Sequence, residues 1–94
     1  MNKIQITNLQ SLPKVSGIYK VTDASDNVLY IGQAKNIYRR WNQGHHKLSK
    51  ILEMCGANAY ISCVRVPEWL LNRAENAAIS SYQPVLNLKN SPIV

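Results

Sequence analysis

Two short runs of strand-forming residues lie close together near the start of the chain, and each contains a tyrosine and a glycine. The runs are Ser16–Val21 and Val28–Gly32, and most of the residues between them are turn formers. This pattern predicts a β-hairpin. If Thr22 pairs with Asn27 across a four-residue loop, the tyrosines of the two runs lie directly opposite each other and share a sheet face. A register shift of one residue would separate them.

Beyond the second run, the apolar residues recur at helical spacing. Asn36 is a suitable N-cap for a short helix that ends near Gly44. A second helix is predicted from Lys47 to a glycine stop at Gly56. The segment 59–66 is largely strand-forming and predicts a third strand beside the hairpin.

The two ends of the chain complete the predicted elements. Residues 1–14 are typical of an edge strand or an extended arm. Pro67 fits the first turn of a helix that continues to about Tyr82. After Pro84 the segment Val85–Leu88 is predicted to run back in an extended conformation.

Glu75 is out of place in the predicted last helix. It lies one turn after Leu71 and one turn before Ile79, so its carboxylate emerges among apolar residues. An inward carboxylate requires an arginine, a proton or a metal ion to offset its charge. One alternative is a boundary glutamate paired with Arg40 or Arg73. The other is a magnesium site, since this ion usually takes only one or two protein carboxylates.

Composition limits the chain to one globular domain, predicted to span residues 1–94. No run approaches the roughly 20 apolar residues of a membrane-spanning helix, and no signal peptide is recognisable at the start. We therefore expect no membrane partner and a cytoplasmic location. Cys55 and Cys63 are interpreted as free thiols; a zinc site formed with His45 and His46 is the alternative, but the spacing matches no usual finger.

The charge is strongly positive and unevenly distributed. Lysine and arginine number 11 against 5 acidic residues, which gives a net charge of +6. No acid lies between Asn27 and Leu52, a window that is rich in basic residues and amides. This window predicts a polyanionic partner, with a simply solvated helix face as the alternative. Its cations are Lys35, Arg39, Arg40, Lys47 and Lys50.

Several residue types in and around this window suit chemistry on a phosphate. The planar guanidinium of Arg40 can donate two hydrogen bonds to a phosphate and offset the negative charge on the phosphate oxygens. Arg39 is expected to point outward. A tyrosine is a poor base unless its pKa is lowered. His45 or His46 could accept or relay its proton, although either could also be surface decoration or a phosphate contact.

The elements above resemble the GIY-YIG endonuclease domain family. The resemblance is carried by Gly17-Ile18-Tyr19, Tyr30-Ile31-Gly32, Arg40, Glu75 and Asn87, in that order and at fitting spacings over residues 14–88. It implies an α/β fold of the α+β type, with a three-stranded antiparallel sheet flanked by helices. It also implies metal-dependent hydrolysis of a phosphodiester bond that leaves a 5′ phosphate and a 3′ hydroxyl.

The resemblance also implies roles for individual residues. Glu75 would hold magnesium, with manganese as a second candidate ion, and Arg40 would clamp the phosphate. Tyr19 would deprotonate the attacking water, and Tyr30 would orient water or share the base role. Asn87 would fix the site from behind. On this basis Arg40 and Glu75 are expected to converge on the sheet face that carries the phenols.

A second group of residues is expected to contact nucleic acid. Gly17 and Gly32 would keep the surface open for a nucleic-acid backbone. The remaining contacts are expected from polar and basic side chains: Gln33, Lys35, Arg39, Lys47 and Lys50.

Two positions depart from the family pattern. Gln33 stands where many members have lysine, so a cation beside Tyr30 is missing. Gly44 stands where nucleases of this family often have tyrosine or histidine. His45 and His46 follow directly and are candidates to substitute, but the sequence does not indicate which of them faces the site.

The sequence therefore predicts a magnesium-dependent endonuclease acting on double-stranded or branched DNA. The alternatives are a binding module of the same fold with weak or no turnover, and a protein-interaction domain. In a bacterium or phage such a protein would be associated with the nucleoid. The sequence leaves open whether the chain is a monomer or a homodimer.

Overall fold

A four-stranded antiparallel sheet forms the centre of the protein, with helices on both of its faces. The computed structural model describes residues 3–88; the ends of the predicted 1–94 domain, residues 1–2 and 89–94, lie outside the described residues. The strand order is β1-β4-β2-β3, so β1 and β3 are the edges. The strands are β1 (Lys3–Gln5), β2 (Gly17–Asp23), β3 (Val28–Ala34) and β4 (Ala59–Arg65).

The predicted sheet was one strand too small. The extra strand is β1, which pairs with β4 through Ile4 opposite Ile61. The edge-strand interpretation of residues 1–14 is therefore confirmed for β1, and a turn of 3₁₀ helix, Leu9–Ser11, follows it. The predicted third strand is confirmed as β4, which lies between β1 and the hairpin.

The basic window forms two short helices, as predicted. These are α1 (Ile37–Asn42) and α2 (Leu48–Cys55). Asn36 is the N-cap of α1, because its side-chain oxygen accepts a hydrogen bond from the backbone N–H of Arg39 at 2.9 Å. Gly56 caps α2 with its N–H bonded to a carbonyl of the last turn.

From Glu68 to Leu88 the chain is mostly helical. A 3₁₀ turn, Glu68–Leu70, follows Pro67 and leads into α3 (Leu71–Tyr82). The extended segment predicted over 85–88 was wrong, because Val85–Leu88 forms one helical turn, α4. This turn buries Leu86 in the core. None of the helices within residues 3–88 has both the length and the apolar composition needed to cross a membrane.

The side chain of Asn87 attaches α4 to the edge of the sheet. Its side chain accepts a hydrogen bond from the Ile31 N–H at 2.7 Å and donates one to the Ile31 carbonyl at 2.9 Å. One amide side chain thus makes the two bonds that a neighbouring strand would make at this point of the β3 edge. The bonds hold β3 in place between Tyr30 and Gly32.

The hairpin register differs from the predicted one by two residues. Tyr19 pairs with Gly32, and Tyr30 pairs with Val21. Because the side-chain period of a strand is two, this shift leaves both phenols on one face. They are diagonal neighbours with ring centroids 6.3 Å apart.

The two-residue difference is the sum of two shifts of one residue. The loop moves the pairing by one, so that Thr22 faces Val28 and not Asn27. Asp23 supports this loop by accepting hydrogen bonds from the backbone N–H groups of Ser25 and Asn27, both at 2.9 Å. The β-bulge between this loop and Val21 adds the second residue of shift.

The two motif glycines have a different role from the one expected. A Cβ on Gly17 would lie 2.2 Å from the Val64 carbonyl oxygen on β4, and one on Gly32 would lie 2.5–2.7 Å from ring atoms and the hydroxyl of Tyr19. Both glycines are buried. They make room for the protein's own backbone and for the Tyr19 ring, and so do not form an open surface for nucleic acid.

The core is divided between the two sheet faces. On one face, Tyr19 and Tyr30 pack with residues of α1 and α2, including Ile37, Trp41 and Ile51. On the other face, a smaller cluster forms where α3 packs on the hairpin. Its buried members are Ile18, Ile31 and Leu71.

Replacement of Gly32 by alanine should lower the free energy of unfolding by about 1–3 kcal/mol, because the new Cβ overlaps the Tyr19 ring. Chemical denaturation measures the loss. In a Tyr19→Leu background the overlapping atoms are absent, and the same substitution should cost much less. Equal costs in the two backgrounds would contradict this packing role.

Candidate active site

Tyr19 and His45 form a buried hydrogen-bonded pair on the face that carries α1 and α2. The Tyr19 hydroxyl lies 2.6 Å from His45 Nε2. Tyr19 is only 1% exposed and His45 only 5%. Burial holds the pKa of Tyr19 above its usual range, opposed by a hydrogen bond from Arg40. The pKa of His45 is lowered to about 3, first by burial and then by neighbouring positive groups.

His45 is the middle ring of a stack of three. Its imidazole lies 4.0 Å from the Trp41 ring at 10° and 4.6 Å from the His46 ring at 20°. The rings of Tyr19 and Tyr30 meet this stack edge-on, at 5.5 and 5.4 Å from His45. The sequence left open which histidine faces the site; the structure places His45 inside and His46 at the exposed end of the stack.

Tyr30 is the second phenol of the site. It is 7% exposed and lies on the same face as Tyr19. Burial and the negative charge of Glu75 raise the pKa of Tyr30, while the positive charge of Arg40 lowers it. Both a cation and an anion therefore act on this phenol.

Arg40 supplies that cation from α1. The residue is exposed, yet its charge acts on both phenols and on the imidazoles of His45 and His46. One end of this side chain thus reaches the buried pair while the residue remains open to solvent. Arg39 is also exposed, as predicted.

Glu75 supplies the anion, but from the opposite side of the sheet. It lies on α3, which packs on the face opposite the phenols, so the expected convergence on a single face was wrong. Because β3 is an edge strand, charged groups from both faces can meet around it. The charge of Glu75 accordingly raises the pKa of both Tyr19 and Tyr30.

Gln33 fixes the position of the Glu75 carboxylate. Its Nε2 donates hydrogen bonds to Glu75 Oε1 at 2.7 Å and to Asn72 Oδ1 at 2.6 Å. The ion pairs found within residues 3–88 join Lys3 to Asp26 and Lys50 to Glu53. Glu75 therefore has no ion pair with an arginine there, and the structural alternative of a boundary salt bridge is not observed.

A basic groove opens beside Arg40. Its lining comes from the end of β3, the connection to α1, α1 itself and the residue after it: Gln33, Ala34, Lys35, Asn36, Arg39, Arg40 and Gln43. Lys47 lies at the start of α2, half-buried, and its charge acts on both histidines. Lys50 is farther along α2 and pairs with Glu53 at 3.5 Å, which offsets part of its charge.

The zinc alternative is not observed in the described part of the chain. Residues 3–88 contain no cluster of three histidine, cysteine or acidic side chains able to hold a metal. Cys55 and Cys63 are both free, as predicted, and burial raises the pKa of the Cys63 thiol to about 11. A metal here would rest on Glu75, water and substrate oxygens, a set that fits magnesium.

Two residues of the site were not identified from the sequence. Trp41 is the first of these; it lies four residues before His45, but α1 ends at Asn42 and Gly44 has a positive φ, so the stack with His45 depends on a turn that helical spacing does not indicate. Asn72 lies three residues before Glu75, one turn away on α3, and that spacing could have indicated a shared partner. Neither residue belongs to the motif tripeptides.

Comparison with known proteins gives one family. The GIY-YIG catalytic domain model matches residues 15–84. UvrABC system protein C from Mycoplasmopsis agalactiae is 30% identical over 89 residues, covering 88% of this chain and 15% of that protein. The corresponding protein from Christiangramia forsetii is 29% identical over 86 residues, covering 85% of this chain and 14% of its own length. The chain thus spans only a small part of these relatives.

Solved structures share the fold. The GIY-YIG N-terminal endonuclease domain of UvrC from Thermotoga maritima, bound to magnesium as its catalytic divalent cation, matches with a TM-score of 0.69 and 21% identity. The match covers 85% of this chain and 91% of that domain. A point mutant of the same domain, also bound to its catalytic divalent cation, matches with a TM-score of 0.65. With the family model covering most of its length, this chain belongs to the GIY-YIG catalytic domain family.

Proposed function

We propose that this chain is a magnesium-dependent endonuclease that hydrolyses phosphodiester bonds of DNA. The observation that carries the proposal is the meeting of Tyr19, Tyr30, Arg40 and Glu75 around the β3 edge, next to a basic groove. The four groups offer a base, a second phenol, a cation and a carboxylate. A general base, a cation at the phosphate and a carboxylate that can hold a metal ion each favour hydrolysis of a phosphodiester bond.

Tyr19 is the phenol that we assign as general base. Its oxygen contacts both His45 and Arg40, whereas Tyr30 lies beside it as a second polar group that orients water. The Tyr19 phenolate takes a proton from water, the water oxygen bonds to phosphorus, and the bond from phosphorus to the 3′ oxygen breaks. The 3′ oxygen leaves as a hydroxyl after taking a proton from solvent.

Arg40 is assigned to the phosphate. Its guanidinium can donate hydrogen bonds to two oxygens of one phosphate. Because the residue is exposed, a nucleic acid can approach it from the groove. From there its positive charge would also favour the Tyr19 phenolate. Lys35, Arg39 and Lys47 extend the positive surface and are assigned to neighbouring phosphates.

Glu75 is assigned as the protein ligand of the metal. Its carboxylate is half-buried, and Gln33 already fixes Oε1, so Oε2 is the oxygen assigned to the ion. Bound magnesium would reverse the local negative charge that raises the pKa of both phenols and would supply positive charge to the phosphate. Asn87 holds the β3 backbone against which these groups are arranged.

Replacement of Glu75 by glutamine should reduce magnesium-dependent nicking of a supercoiled plasmid by about 100-fold or more, because the metal loses its carboxylate. Glu68→Gln is the matched control, since it removes a negative charge from an exposed turn just before α3. The control should nick like the wild type. Absence of nicking by the wild type, combined with salt-sensitive DNA binding, would instead support a binding module without turnover.

Replacement of Tyr19 by phenylalanine should reduce the cleavage rate by about 10²–10⁴-fold, the usual contribution of a general base. The wild-type rate should rise with pH, because the phenol must lose its proton and its pKa lies high. This dependence should disappear in Tyr19→Phe. If Tyr30→Phe removed the pH dependence and Tyr19→Phe kept it, the two tyrosines would have to exchange roles.

Arg40 and Arg39 are neighbours with different assigned roles, so they make a useful pair. Arg40→Lys should lower kcat by about tenfold or more, because lysine keeps the charge but loses the two-point fork. Arg39→Gln should mainly weaken binding and reduce the slope of log affinity against log salt by about one. Cleavage of a short duplex under single-turnover conditions separates the two effects. Equal losses of kcat in both variants would argue against the clamp.

A further inference from the structure

His45 is held in one orientation by its surroundings. Its ring lies between those of Trp41 and His46, and only 5% of the residue is exposed. The turn that brings it there passes through Gly44, whose φ of +93° is a conformation that favours glycine. Gly44, where the resemblance leads us to expect tyrosine or histidine, is thus a turn residue, and the next residue enters the site.

The hydrogen bonds of His45 determine which ring nitrogen carries its proton. The backbone N–H of Lys47 donates to His45 Nδ1 at 3.0 Å. A backbone N–H can only donate, so Nδ1 must present its lone pair. A neutral imidazole has one proton, which is then on Nε2, the nitrogen that lies 2.6 Å from the Tyr19 hydroxyl.

We infer that His45 is a hydrogen-bond donor to the Tyr19 oxygen and not the acceptor of the Tyr19 proton. The inference rests on the proposed function, in which Tyr19 is the general base. His45 is then a positioning residue: its Nε2–H holds the phenol oxygen, stabilises the phenolate, and turns the O–H of the neutral phenol away from the imidazole. The Lys47 amide is the group that enforces this direction.

The electrostatic surroundings are consistent with this direction of donation. Burial, followed by the His46 ring and the cations Arg40 and Lys47, lowers the pKa of His45 to about 3, so the imidazole is neutral at neutral pH. Tyr19 and Tyr30 face it from the sheet. Together with Arg40, His45 supplies a second donor to the Tyr19 oxygen, which offsets part of the cost of charging a buried phenol.

Two variants of similar size separate donation from proton transfer. Glutamine keeps an N–H near the position of Nε2 but cannot take up a proton, whereas methionine fills the space without a donor. We expect His45→Gln to cleave DNA within about threefold of the wild type and His45→Met to lose about 10- to 100-fold, the equivalent of one hydrogen bond to a charged group. Similar large losses in both variants, with unchanged thermal unfolding, would overturn the inference.

Nitrogen-15 NMR of the histidine-labelled protein gives a readout that is independent of activity. The chain has two histidines, so the spectrum of His46→Ala assigns the His45 signals. We expect a proton on Nε2, a bare Nδ1, and a shift of the Nε2–H signal in Tyr19→Phe. A proton on Nδ1 would overturn the inference. If the wild type fails to cleave DNA, the proposed function fails, while the NMR result still decides the direction of this bond.

Discussion

The Tyr19 ring lies across Gly32, its partner on the neighbouring strand, and the position of the Tyr19 phenol at the centre of the site depends on this contact. A side chain at Gly32 would overlap the ring and displace the phenol. With the glycine in place, the phenol packs closely over β3, where the Tyr30 ring lies beside it and His45 Nε2 reaches its oxygen. Gly32, the glycine of the second motif, therefore makes room for Tyr19, the tyrosine of the first motif.

The position of β3 at the edge of the sheet is the second constraint, because it lets groups from the two sheet faces approach each other. Arg40 approaches from the face that carries the phenols, and Glu75 approaches from α3 on the other face. An unprotected edge would also invite pairing with another strand. Asn87 occupies its middle with two side-chain hydrogen bonds to Ile31, so the edge at that point is both fixed and closed.

The balance of charge around the phenols distinguishes this chain from the usual family pattern. The position that often carries lysine is Gln33, which contributes no charge and instead ties the Glu75 carboxylate to Asn72. Among the described residues, Arg40 is then the cation that lowers the pKa of both phenols. Burial raises these pKa values by more than Arg40 lowers them. A buried phenol needs further hydrogen-bond donors if its phenolate is to be stabilised. His45, which is neutral because its pKa is low, can supply one of them through Nε2–H.

The sequence alone determined most of the elements and most of the candidate site residues, because strand and helix periods, caps and motif spacing are local properties; the strand count and the conformation of Val85–Leu88 were the exceptions. The order and spacing of the two motif tripeptides, Arg40, Glu75 and Asn87 indicated the family. Only the tertiary structure decided how these residues meet, because that depends on distant contacts. The loop and the bulge each shifted the register by one residue, and their sum kept the phenols together. Packing of α3 on the opposite face, and the Lys47 amide that orients His45, likewise have no signature in a linear pattern.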